Sequence, residues 1–291
     1  MSYEITKAFP RTTVAGVSLP RMLIGSNWML GYSHTGAAAD AMINCRFGSN
    51  TASYEAMFEA YMEYGIDAVM APINTNANPA LLTAIRNTEQ KLGRGITIID
   101  TPFINVNDNA EGRREAERVI KESASFGSKF CLLHHSCVEQ LVNKNLEQIP
   151  RLSDYLSMIR DAGMLPGLSA HMPELILYSD KNGYDVETYI QIYNCLGFLM
   201  QVEIESVSRI IHHAKKPVMT IKSMAAGRCT PYVGISFSFA TLRECDMVTV
   251  GAHDPREVHE DVEIGFAAIE RRFPIIGARN SPVKQQAVLR D

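Results

Sequence analysis

Gly167-Leu168-Ser169-Ala170-His171-Met172-Pro173-Glu174 reads as a short apolar strand that ends on an imidazole and turns at Pro173 into a helix. Side chains alternate across a strand, so Gly167, Ser169 and His171 share one face while Leu168 and Ala170 share the other. In a barrel of parallel strands, the last inward residue of each strand stands at the carboxyl face, where (β/α)8 enzymes assemble their sites. That places His171 at the mouth of such a barrel.

Seven more strand-like runs lie at residues 21–26, 68–70, 96–99, 130–133, 198–202, 218–221 and 247–250, making eight with 166–169. Segments 54–64, 110–125, 150–162 and 186–193 carry apolar residues at helical spacing. Strand and helix alternating about every 30 residues predict parallel strands joined by right-handed crossovers, an α/β fold of the TIM-barrel type. Residues 12–20 read as an N-terminal β-hairpin that turns near Ala15-Gly16 and plugs the bottom of the barrel. Asp254 followed by Pro255 and Glu257 predicts a capped helix start. Hairpin and barrel make one domain over residues 1–270; residues 271–291, rich in Pro, Arg and Gln, read as a C-terminal tail.

At 291 residues and 46% hydrophobic content the chain is long enough for one large core. A net charge of -4 and a pI near 6.1 give no basic footprint for nucleic acid or an anionic membrane, so the expected partner is a small-molecule substrate. No apolar run approaches the roughly 20 residues of a membrane helix, and Met1-Ser2-Tyr3-Glu4 does not open a signal pattern, which predicts a cytoplasmic protein. Cysteines 45, 131, 137, 195, 229 and 245 form no CxxC pair and read as free thiols. The tail and the apolar stripes of outer helices are compatible with a homo-oligomer, which one sequence does not decide.

The hairpin followed by Leu23-Ile24-Gly25, the fourth strand Leu132-Leu133-His134, and the stretches 222–228 and 251–258 resemble the aldo-keto reductase superfamily along most of the barrel. The resemblance implies NADP(H), with Ser169 and Gln201 on the nicotinamide side and Gly227, Arg228, Gly251 and His253 at the last two strand ends. It also implies His134 as the family's catalytic histidine. That family places an Asp and a Tyr after its second strand and a Lys on its third. Here those stretches read Met70-Ala71-Pro72-Ile73-Asn74-Thr75 and Ile98-Ile99-Asp100-Thr101-Pro102, with neither tyrosine nor lysine. Losing a general acid costs a rate factor of roughly 10² to 10⁴, so the resemblance implies the fold far more than the reaction.

Projected by alternation, Asn27, Asp100, His134, His171, Glu203 or Glu205, and Lys222 form a ring at the mouth, each from a different strand. Asp100, His134, His171 and Glu203 are suitable ligand types for a divalent metal such as Zn or Mn, although no HxH or HExxH spacing accompanies them. Gln201, Glu203 and Glu205 share a face of the sixth strand, where Lys222 is the natural counter-ion of Glu203. Freed from that role, a lysine in an apolar barrel serves as an acid-base group or an imine-forming amine. His134 and His135 are neighbours on one strand, so His134 is read as lumenal and His135 as packed outside; His212 and His213 read as solvated.

The loop 27–36, with Asn27, Trp28, Tyr32 and His34, is the expected substrate cover, joined by Gln201. The glycine-bearing ends at Gly227-Arg228 and Gly251-Ala252-His253 could hold a phosphate on backbone amides, although Asp254 competes for the same donors. The favoured reading is a barrel enzyme acting on a small sugar derivative or oxo acid by acid-base, metal-assisted lyase, isomerase or hydrolase chemistry. His134, Lys222 and Glu205 are its catalytic candidates. The alternatives are an NADP(H)-dependent reductase with a substituted proton donor and a non-catalytic metabolite- or partner-binding barrel.

Overall fold

The computed structural model describes residues 7–73 and 79–277. β1 (Arg11–Val14) and β2 (Val17–Pro20) pair antiparallel about Ala15 and Gly16, which take the left-handed conformation that a tight hairpin needs. Eight parallel strands then close into a barrel: β3 (Met22–Gly25), β4 (Ala68–Ala71), β5 (Thr97–Asp100), β6 (Phe130–Leu133), β7 (Leu165–Ala170), β8 (Thr188–Ile192), β9 (Val218–Ile221) and β10 (Met247–Val250). Each pairs with its neighbours in sequence, and β10 returns to β3 with Val248 opposite Met22.

The first crossover carries two helices, α1 (Ala37–Arg46) and α2 (Thr51–Met62), and α3 (Pro79–Leu92) and α4 (Ala110–Ser125) follow the next two strands. The short α5 (His135–Val138) and the longer α6 (Leu152–Asp161) come after β6. α7 (Glu174–Asn182), α8 (Ile204–His213), α9 (Pro231–Thr241) and α10 (Pro255–Glu270) complete the outer ring. α10 begins as its sequence predicts, with the Asp254 carboxylate accepting from the Arg256 N–H. Among the described residues no helix is long and apolar enough to cross a membrane.

The lumen is packed, not open. Leu23, Met70, Ile99, Phe130, Leu132 and Ile190 fill it together with Val14 and Leu19 of the hairpin, which closes the bottom. Gly167 is needed in that layer because a Cβ there would stand 2.7 Å from both Leu132 Cγ and the Thr188 carbonyl oxygen.

Two expectations fail at the sixth barrel strand. Residues 186–193, read as helical, contain β8, whose residues are buried along its whole length. A strand covered on both faces loses the polar alternation that marks it in a sequence. Residues 198–202 form no strand; Leu199 takes a left-handed φ of 58° and is exposed, and the segment belongs to the connection from β8 to α8. Asn74 and Thr75, beyond the second barrel strand, and most of the tail, residues 278–291, lie outside the described residues.

Asp100 is also misplaced by simple projection. Ile99 faces the lumen, so Asp100 points outward between β5 and α4, where it accepts from the Ile73 N–H at 2.9 Å and the Ser123 hydroxyl at 2.5 Å. Burial outweighs these hydrogen bonds and pushes its pKa up from 3.8 to about 6.

Two consequences are measurable. The folded chain keeps the Asp100 proton to about pH 6 while the unfolded chain loses it near 3.8, so stability falls as pH rises through that window, by about 3 kcal/mol. Asp100→Asn, which still accepts from Ile73 and can donate to Ser123, should gain stability over the unsubstituted protein steadily from about pH 4 to about 6.5 in urea unfolding. A pH-independent difference would refute the assignment. Gly167→Ala should lower the urea midpoint by the equivalent of roughly 1–3 kcal/mol, the usual cost of overpacking; an unchanged midpoint would show that the lumen can yield.

Candidate active site

The carboxyl ends of the strands enclose a cavity of about 800 Å³. Met70, Ser169, Ile190 and Thr249 reach it from the strands and Thr101 from the end of β5, and His134, His135, His171 and Lys222 are among its titratable groups, with His253, Glu257, Glu260 and Asp261 on the β10 side. The loop after β3 forms one wall. It is tied down where the Ser33 hydroxyl and N–H both donate to Asp40 Oδ1, at 2.6 and 2.9 Å, and where the Tyr54 hydroxyl donates to the Met29 carbonyl at 3.1 Å. Asn27, Trp28, Tyr32 and His34 all line the cavity from this loop.

Lys222 follows β9 with a left-handed φ of 63°, a conformation that costs a non-glycine residue roughly 1–3 kcal/mol. The turn breaks strand alternation and brings its ammonium to 2.7 Å from His34 Nε2. Burial lowers the Lys222 pKa to about 8. Burial first, and the charge of Lys222 second, lower the His34 pKa, which keeps that imidazole a neutral acceptor. The pair Glu203 with Lys222, a natural reading of the sequence, does not form.

Opposite stands a file of rings. His135 stacks on His171 with centroids 3.6 Å apart, His134 lies 4.3 Å from His135, and Phe103 covers His134 at 3.9 Å. Burial, helped by the charge of His135, lowers His134 to about 4 and His171 to about 3, so both are neutral at physiological pH. His134 caps the short α5, its Nδ1 accepting from the Ser136 N–H, which leaves Nε2 as the protonated nitrogen. Sequence alternation predicts His135 outside the barrel. It lines the cavity because β6 ends at Leu133 and the chain is helical from His135 onward, so the two-residue period no longer applies.

Glu139, absent from the sequence reading, completes this wall. Its Oε1 accepts from the N–H groups of His171 and Met172 at 2.6 and 2.8 Å, and its Oε2 lies 3.9 Å from His135 Nδ1. Burial pushes the carboxyl up, but the nearby His135 and the hydrogen bonds from the two amides outweigh it and hold the pKa below the ordinary value. The signal was present as His135 and Glu139 spaced i, i+4 on one helical turn.

Other predicted members do not converge. Gln201, Glu203 and Glu205 are exposed residues of the segment that leads into and starts α8, and Asp100 faces α4. The ligand set Asp100, His134, His171 and Glu203 is therefore not assembled, and among the described residues no three His, Cys, Asp or Glu side chains are grouped to hold a metal ion. His212 and His213 are exposed, as predicted.

Of the residues expected at a nicotinamide cofactor, Ser169, Gly227, Arg228, Gly251 and His253 line the cavity and Gln201 does not. Their fit to a pyrophosphate is poor. Trp28 stacks on His253 at 5.4 Å and fills the space that the glycines open, coming within 3.3 Å of where a Gly251 Cβ would stand and 3.8 Å of a Gly227 Cβ. The Asp254 carboxylate occupies the start of α10, held by Arg46 and Arg256. An anion at that helix end meets a fixed negative charge.

Fold and mouth together describe a (β/α)8 barrel whose titratable groups come from its strand ends and the first loop. No family model and no curated protein matches the sequence. Among solved structures, a protein described as an aldo-keto reductase from Pseudomonas aeruginosa aligns over 92% of this chain and all of its own, with a TM-score of 0.63 at 12% identity. A thermostable aldo-keto reductase bound to the inhibitor epalrestat aligns over 90% of this chain and 97% of its own, with a TM-score of 0.58 at 11% identity. A ribulose-1,5-bisphosphate carboxylase/oxygenase from Pyrococcus horikoshii covers 77% of this chain with 55% of its own, TM-score 0.51 and 13% identity. Likeness at this level of identity establishes an aldo-keto reductase-like barrel fold and leaves the chemistry to the site.

Proposed function

We propose that the chain is an acid-base enzyme that moves a proton on a small polar carbonyl compound, a sugar derivative or oxo acid. The observation that carries this reading is the Lys222 ammonium held at 2.7 Å from a neutral His34, across the cavity from the imidazole wall. With its pKa near 8, Lys222 is mostly cationic at neutral pH and supplies positive charge to a carbonyl oxygen in a part-buried setting where that charge is weakly screened. His134 and His171, neutral above about pH 4 and about pH 3, are too weakly basic to abstract a carbon-bound proton efficiently and serve to orient the substrate. His135, backed by the Glu139 carboxylate, is the base: the carboxylate stabilises the imidazolium that forms when the proton arrives. Proton transfer of this kind serves isomerase and lyase outcomes alike, and a metal-assisted version has no assembled ligand set among the described residues.

Dihydroxyacetone and pyruvate in D₂O, followed by proton NMR, test the reading through loss of the hydrogens next to the carbonyl. Exchange should hold up to about pH 8 and fall above it as Lys222 loses its charge. Lys222→Met should reduce it by roughly 10²- to 10⁴-fold. Whatever exchange survives in Lys222→Arg should lack the alkaline decline. Exchange that rises through pH 8, or that Lys222→Met leaves intact, would overturn the role of the ammonium; absence of exchange from both compounds would overturn the carbonyl reading.

An NADP(H)-dependent reductase is the second reading, supported by the barrel likeness to two aldo-keto reductases. Trp28 in the glycine cradle and Asp254 at the α10 start argue against it. Because Trp28 is the chain's single tryptophan, a titration with NADPH followed by its fluorescence reads the question directly. No saturable change is expected; saturation at micromolar NADPH would put the reductase first.

A further inference from the structure

Two mouth loops that are far apart in sequence bring a pair of thiols together. Cys195 lies in the connection from β8 to α8 and Cys229 in the connection from β9 to α9, and their sulfurs are 3.8 Å apart. Both are part-exposed, and Cys229 lines the cavity. The same loops are pinned beside the pair, where the Arg228 guanidinium lies 3.8 Å over the Phe198 ring. The other four cysteines are not drawn into this contact; Cys131 and Cys137 are buried and Cys45 is exposed on α1.

We propose that Cys195 and Cys229 are a modification site, a dithiol that reacts with a low-molecular-weight disulfide such as glutathione disulfide to form a reversible cross-link between two adjacent loops at the rim of the mouth. The chemistry balances without a further oxidant. One cysteine thiolate attacks the glutathione disulfide and expels one glutathione thiolate, giving a mixed disulfide; the second cysteine attacks its own partner's sulfur and expels the other. Two electrons pass from the cysteine pair to the disulfide reagent, and the two cysteine protons end on the two released glutathiones. A disulfide bond needs its sulfurs at about 2.05 Å, so the pair must close by less than about 2 Å, a shift within reach of side-chain rotation.

Burial, and then the adjacent Cys195, raise the Cys229 pKa to about 11, so its reactive thiolate is scarce at neutral pH. The cross-link therefore forms slowly near pH 7 and faster as pH rises. Once formed it fixes the loop that runs from Lys222 through Arg228 to the neighbouring loop carrying Phe198. Trp28 reports the change because it lies 3.8 Å from the Gly227 Cβ position, two residues from Cys229.

The test is incubation of the full chain with glutathione disulfide at about pH 8, followed by intact mass, non-reducing tryptic mapping and Trp28 fluorescence. The expected product is about 2 Da lighter and yields one cross-linked peptide pair, residues 182–209 with 229–243, each carrying one cysteine. Its Trp28 emission shifts and returns on treatment with dithiothreitol. Cys195→Ser should instead accumulate a stable mixed disulfide at Cys229, and Cys229→Ser one at Cys195. A product in which glutathione stays on either cysteine of the unsubstituted protein would overturn the proposal, as would modification of Cys45 while the pair remains reduced.

Discussion

The mouth exists because the sheet closes between β10 and β3. At the seam the backbones approach closely: a Cβ on Gly25 would stand 3.0 Å from the Gly251 nitrogen and 3.1 Å from the Val250 carbonyl. Below it, buried Arg21 donates to the carbonyls of Asp246 and Arg243, so its charge is met by fixed dipoles, while the fully buried Asp246 carboxylate is paired with Arg243 and accepts the Val218 N–H of β9. That knot joins β3, β9 and β10. Without it the loop after β3 would not reach the end of β9, and His34 and Lys222, 188 residues apart in sequence, would not share a hydrogen bond.

Most of this architecture was legible before the structure, and the reason is visible in particular strands. Residues 130–133, 218–221 and 247–250 are short apolar runs bounded by polar turns, and each is a strand at those limits. β8 escaped because Thr188-Tyr189-Ile190-Gln191-Ile192 mixes polar and apolar residues in a way that also suits a helix of similar length. The apolar Phe198-Leu199-Met200 then looked like the missing strand, although its role is to pack loops at the mouth. Gly197 and Leu199, both with positive φ, mark it as a turn in the structure, a property that glycine announces and leucine conceals.

The site was legible to the extent that strand alternation persisted. His171 and Ser169 stand where two-residue periodicity puts them because β7 runs unbroken through Ala170. The rule fails where the backbone leaves the extended conformation. His135 enters the cavity because helix has already begun, and Lys222 enters it because a left-handed turn swings it there. Asp100 fails for another reason: a carboxylate at a strand end reads as functional, whereas this one accepts a loop amide and a helix hydroxyl from the outer side of the sheet. Residue type alone does not distinguish an anchor from an acid.

The charge at the mouth of this aldo-keto reductase-like barrel is distributed unevenly among its strands. In the family the proton-handling groups follow the second and third strands. Here β5 offers Thr101 and β4 offers Met70 to the cavity, neither of which titrates. The titratable side chains come from after β6, β7, β9 and β10, with His34 reaching over from the first loop. Lys222 and the Glu139-backed His135 therefore stand on different strand ends of one cavity, while Trp28 covers the glycine-bearing ends at Gly227 and Gly251. Any group laid along those two glycines would surrender the contact that Trp28 makes with His253, so the Trp28–His253 stack is what sets the free space at that side of the mouth.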